Sequence, residues 1–205
     1  KWLNITPVQN MWEQLQLTYD YGVDKLWVLN VGDLKPMEYP ITLFLDMAWN
    51  PKAFSASNFR QHTRQFCDEA FGADYGAKSA AILEQYLRYN GRVTPEMLNF
   101  MTYNLHSGEY KEVVNEYKAL ELDALTLFGK IAPEYKDAFH QLLLYPVQSM
   151  SNLYEMYYAQ AMNHRLYSCG APAADMWADR VEAAFKRDAE LCRAYNKDLA
   201  GGKWD

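Results

Sequence analysis

The sequence predicts a mainly helical chain in two parts: a helix–strand–helix unit with the grammar of a (β/α) barrel, then an antiparallel helical bundle. Three observations carry this prediction. Lys25 to Val31 contains a nearly unbroken apolar run, Leu26, Trp27, Val28, Leu29 and Val31, which suits a strand covered on both faces. A helical pattern precedes that run and another follows it, as around each strand of such barrels. From Ser55 onward the spacing is helical throughout, and no second strand of comparable quality follows.

The elements follow in order. Thr6 is a plausible N-cap, with Pro7 at N1 and Gln9 completing a capping box. Val8, Met11, Trp12, Leu15 and Tyr19 then recur at helical spacing, and Gly22 stands where a left-handed residue closes a helix. Val23 and Asp24 lead into the strand. After the polar loop from Asn30 to Pro36, Met37 to Trp49 reads as helix, with Pro40 near enough its start to be tolerated and Asn50-Pro51 ending it.

In the second part, Ser57 is placed to cap a helix reaching Phe71, stopped by Gly72, and Ala73 to Tyr89 forms the next. Thr94-Pro95-Glu96 has the composition of another helix start. Ser107-Gly108 introduces a helix from Glu109 to about Ile131, and Ala132-Pro133-Glu134 begins one that runs to about Tyr167. Pro146 lies inside it and is expected to kink or divide it. Asp175 to about Leu199 is the final helix. No repeat of 34 or 40 residues runs through these segments, which favours a bundle over a repeat array. The predicted organisation is residues 1–54 for the barrel part, 55–200 for the bundle and 201–205 for a tail.

A 205-residue chain that is half apolar holds enough material for a substantial core. A net charge of −6 with no basic stripe argues against nucleic acid. No apolar run approaches a membrane span. The first residue is not Met, no signal-like segment precedes the first helix, and that helix begins almost at once, so the chain reads as one entered midway. One strand also needs backbone partners that these residues do not offer. Cys67, Cys169 and Cys192 lie far apart with no metal-like pairing, and His62, His106, His140 and His164 have no metal-ligand spacing. Neither a metal nor a cofactor is expected. The 16 Tyr and 6 Trp suit a sugar-handling protein, although core packing explains most of them equally well.

Asn30, Asp33 and Lys35 cluster at the carboxyl end of the strand, the edge where barrels place their ligands. Asn30 can donate to and accept from a hydroxyl, Asp33 can bind a hydroxyl or serve as acid or base, and Lys35 can hold an anion. Gly32 permits close approach, and Pro36 restrains Lys35 to extended geometry. The plainer alternatives are a bridging Asn30, a helix-capping Asp33 and a solvated Lys35. Glu13, Asp46, Glu84, Glu121, Asp123 and Glu155 read as solvated helix faces or partners of a neighbouring turn, Glu84 beside Arg88 for example. Tyr154, Tyr157 and Tyr158 can stack on a sugar, but an interhelical seam is the more ordinary reading.

KWLN at the start, WEQ at Trp12 to Gln14, YGVDKLWVLNVGDLKP from Tyr21, the following MEYP, FLDMAWNP ending at Pro51, and AGGKW near the end resemble glycoside hydrolase family 115. NVGDLKP and LDMAWNP are the specific segments; the helical stretch between them and the tail is looser. The resemblance implies a middle-to-C-terminal portion of a xylan α-1,2-glucuronidase, which removes glucuronic acid or its 4-O-methyl form from xylan by inverting hydrolysis. It places Trp2 to Trp49 in the closing part of a (β/α)8 barrel and Ser55 to Leu199 in a helical bundle. Asn30 is then expected as a sugar contact and Asp33 as a candidate for orienting substrate or for the catalytic pair. Lys35 suits a uronate carboxylate on electrostatic grounds. The expected partners are xylan or xylo-oligosaccharide bearing glucuronic acid, the remainder of the parent chain, and a second copy in a homodimer. The family also implies a secreted or periplasmic location. A portion lacking the earlier strands is expected to be inactive alone. The competing reading is a stand-alone helical module for protein interaction or carbohydrate binding.

Overall fold

A computed structural model describes residues 3–32 and 34–203, and among them all regular secondary structure is helical. The longer helices are α1 (Val8–Asp20), α2 (Glu38–Trp49), α3 (Phe59–Phe71), α4 (Ala73–Asn90) and α5 (Glu109–Phe128). The short α6 (Lys136–Phe139) is followed by a π-helical turn at His140–Leu144, then α7 (Tyr145–Ser168) and α8 (Ala174–Arg193). No helix among the described residues is long and apolar enough to cross a membrane.

The expected strand is the main correction. Residues 25–31 are irregular and form no ladder with any described residue. Among the described residues, none of the backbone–backbone hydrogen bonds outside the helices involves residues 24–31. Leu26 and Val28 are 76% and 80% exposed. Among the described residues the apolar run finds no neighbouring strand, and it is only partly covered: Trp27 is half-buried, its ring 6.1 Å from that of Phe44 in α2.

The chain divides into two compact units, residues 1–92 with 127–143, and residues 93–126 with 144–205. In the first, Tyr39, Leu43 and Met47 of α2, Cys67 and Phe71 of α3, and Leu83, Tyr86 and Leu87 of α4 are fully or almost fully buried. Two of its buried tyrosine hydroxyls are satisfied within this core, whereas Asn4 Oδ1 and Trp12 Nε1 are buried without a hydrogen-bond partner. The Tyr39 and Thr63 hydroxyls share a hydrogen bond of 2.6 Å, and the Tyr86 hydroxyl donates to the Leu3 carbonyl at 2.5 Å. Gly72 joins α3 to α4 in one residue at φ +87°, and a Cβ there would stand 2.9 Å from the Tyr135 ring. Both constraints select glycine.

The second unit is built on tyrosines. Tyr117 and Tyr154 stack with ring centroids 4.2 Å apart, and Tyr158 meets Trp177 edge-on at 5.4 Å. The interhelical seam, the more ordinary of the two readings of Tyr154 and Tyr158, is therefore the one observed. Charges cross between its helices: Glu155 of α7 accepts from Lys118 at 2.6 Å and from Arg180. Glu121 accepts from Arg187. Asn152 Nδ2 donates to the Ala184 carbonyl at 2.9 Å.

Several predicted boundaries shift. Pro7 and Asn58, rather than Thr6 and Ser57, occupy the N-cap positions of α1 and α3, neither with a side-chain capping bond. Thr94-Pro95-Glu96 starts only a 3₁₀ turn, Pro95–Met97. Pro146 divides its helix as expected, with the π-helical turn immediately before it. A widened turn relieves the clash of the proline ring with the preceding turn and absorbs its missing N–H. The final helix ends at Arg193, and π and 3₁₀ turns continue to Gly201.

Candidate functional site

The irregular segment delivers Leu29, Asn30, Val31 and Gly32 to one side of an open hollow of about 410 Å³. Thr6 and Met11 from the start of α1, and Met37, Pro40 and Ile41 from the start of α2, line the rest. The site is thus assembled where two helices begin. Proline at position 40 lies in the first turn of α2, where its missing N–H costs no helical bond. Asn30 is exposed, and its amide can donate to and accept from a hydroxyl.

Lys35 is placed differently. It does not line the hollow, and its ammonium is paired with the carboxylate of Glu38, the first residue of α2. The same Glu38 oxygen accepts a bond of 2.5 Å from Gln141, whose side chain comes from the π-helical turn after α6. The other Glu38 oxygen is buried without a hydrogen-bond partner. The Lys35 charge is therefore already engaged by a protein carboxylate. An incoming anion would have to compete with Glu38 for it. The Lys35–Pro36 peptide is cis. Asp33 lies outside the described residues. The N-cap of α2 is Met37, with no side-chain capping bond.

Neither Glu38 nor Gln141 was legible as part of this site. Glu38 reads as an ordinary first-turn acid, and Gln141 is 103 residues away in sequence. The remaining titratable candidates have structural partners. His62 shares a 2.8 Å hydrogen bond with Asp46, and His164 stacks on Phe100 at 4.5 Å. Burial lowers the pKa of His140 from its ordinary value. Glu84 pairs with Arg60 at 3.7 Å across α3 and α4, while Arg88 donates instead to Gln85 at 2.7 Å. Burial raises the Glu84 pKa above the usual carboxylate value, against the lowering effect of Arg60. Among the described residues, no group of three or more His, Cys, Asp or Glu side chains is placed to hold a metal ion.

Residues 1–97 match the family model described as glycosyl hydrolase family 115. Among solved structures, the chain is similar to a family GH115 4-O-methyl-α-glucuronidase with specificity for decorated arabinogalactans, with a TM-score of 0.81 and 26% identity. The match covers 98% of this chain and 27% of that one. No curated protein matches the chain.

Proposed function

We propose that the chain, whose residues 1–97 match the model of glycosyl hydrolase family 115, forms part of an enzyme that releases α-1,2-linked glucuronic acid, or its 4-O-methyl form, from a polysaccharide. The observation that carries this reading is the exposure of Leu26 and Val28 in an apolar run that leads directly into the Asn30 hollow. A run of that composition, irregular and without backbone partners among the described residues, fits a barrel strand whose neighbours belong to another part of the polypeptide. The chain spans about a quarter of the length of its solved relative, 27%, which leaves ample sequence for those neighbours. Residues 1–54 then supply the last part of a (β/α)8 barrel and residues 55–200 its helical companion.

Inverting hydrolysis needs one carboxylic acid to protonate the leaving oxygen and one carboxylate to activate water, about 6.5–9.5 Å apart. Asn30 serves as a sugar-hydroxyl contact and Asp33 orients substrate or joins the pair. The partner carboxylate comes from earlier strands, so these residues alone are inactive. Xylan is the backbone that the sequence resemblance favours. The similar solved enzyme is described as acting on decorated arabinogalactans, which makes glucuronate, rather than the backbone beneath it, the shared recognition element. A polymeric substrate also fits action outside the cytoplasm.

The test is kinetic. In the longer protein carrying this segment, Asn30→Ala and Asp33→Ala are each expected to lower kcat/KM on glucuronoxylan by about 10²-fold or more, the loss expected from a misplaced substrate. Full activity in both variants would remove the loop from the mechanism.

A further inference from the structure

The first turn of α1 separates the Asn30 hollow from a second one. Thr6 and Met11 line the first, whereas Pro7, Gln9 and Asn10 line the second, facing Arg60, Arg88, Tyr89, Gly91 and Arg92. This second hollow is open and has a volume of about 1060 Å³. On a chain of net charge −6, three guanidinium groups in one hollow are a local reversal of sign.

Each guanidinium is steadied by a neighbour. Arg60 lies 3.7 Å from Glu84, Arg88 donates to Gln85 at 2.7 Å, and Arg92 rests 4.4 Å above the Tyr89 ring. Arg60 nonetheless keeps 84% of its side chain exposed. The wall opposite adds polarity of the same sign. The first helical bond of α1 runs from the Met11 N–H to Pro7 at 3.1 Å, and the N–H groups of Val8, Gln9 and Asn10 lie ahead of it. No acidic residue stands in that first turn to offset them. An adjoining hollow shares Gln9, Asn10 and Arg60 and extends the surface to Trp12 and to Glu13, the one acidic side chain in its lining.

We propose that this arginine hollow is a carboxylate subsite that holds a uronate sugar of the polysaccharide, separate from the Asn30 hollow. The glycan class rests on the proposed function; the anion preference rests on the hollow itself. Planar guanidinium groups match a carboxylate bidentately. The amides of Gln9 and Asn10 can both donate to and accept from ring hydroxyls, and an aromatic face such as that of Trp12 suits the apolar side of a sugar. A polysaccharide with acidic branches along its backbone would then be held at a second branch while the first is cleaved.

The 205-residue chain would be titrated by calorimetry with a glucuronate-bearing xylo-oligosaccharide, its neutral glucose-bearing counterpart and inorganic phosphate. The acidic sugar is expected to bind at least tenfold tighter than the neutral one, and more weakly as salt screens the guanidinium charges. Arg88→Gln combined with Arg92→Gln should reduce that affinity about tenfold with an unchanged circular dichroism spectrum. Equal binding of the neutral sugar, equal binding of phosphate, or wild-type affinity in the double variant would overturn the subsite. If the Asn30 and Asp33 variants of the longer protein keep full activity while the arginine result holds, the reaction-site reading fails and the subsite stands.

Discussion

Glu84 shows how one side chain's burial becomes a measurable pH dependence. Its folded-state pKa is raised, first by desolvation, with Arg60 opposing. A carboxyl raised on folding contributes stability that is present below its unfolded pKa and lost as pH rises through the folded value. Glu84→Gln is therefore expected to raise the urea midpoint at pH 7 relative to the parent chain, with the difference disappearing near pH 4, about the unfolded value. The lost pair costs little, because Arg60 is 84% exposed. A midpoint that falls at pH 7 would show the ion pair to dominate. The cysteines give a second contrast at this scale. Burial pushes the Cys67 thiol up to about 12, whereas Cys169 is exposed. Under native conditions at pH 8 a thiol reagent should label Cys169 readily and Cys67 only after unfolding, which mass spectrometry of the labelled peptides would read directly.

At the scale of elements, the α3–α4 pair depends on close approach at Gly76. An added Cβ would stand 1.8 Å from the Asp68 carboxylate oxygen and 2.9 Å from the Asp68 backbone nitrogen. The carboxylate also accepts from Arg64 at 2.6 Å. Gly76→Ala gains about 1 kcal/mol in helix propensity, but it must move both a side chain and a backbone. A net destabilisation of about 1–3 kcal/mol, the usual cost of overpacking, is expected in urea unfolding. A more stable variant would mean that the helices separate easily. The glycine reads in sequence only as an interruption of a helical pattern, because its reason lies on the facing helix. Pro146 was more legible: its ring and missing N–H act locally, and the division of the helix falls at its position.

For the whole molecule, the decisive element is the one that does not form. The segment 25–31 has the composition of a buried strand and the surroundings of a surface loop. Hydrogen exchange should find its amides unprotected in the 205-residue chain and protected in the longer protein, where neighbouring strands would accept them. Protection without any partner would favour a self-contained helical module. Asn30 was readable as a candidate because polar residues after an apolar run stand out in one dimension. The arginine hollow was not, since Arg60 and Arg88 belong to separate helices and meet Asn10 only after α1, α3 and α4 have packed.

Local chemistry alone settled which stretches coil into helices and where prolines and glycines interrupt them, since those preferences act within a few residues. Short segments such as NVGDLKP also carried the resemblance to glycosyl hydrolase family 115, whose model matches residues 1–97. Tertiary packing decided the pairing of Lys35 with Glu38 and Gln141, the tyrosine seam of the second unit, and the exposure of Leu26 and Val28. A strand is completed by hydrogen bonds from other segments, whereas a helix completes its own. That difference explains why the helical pattern was realised and the strand pattern was not.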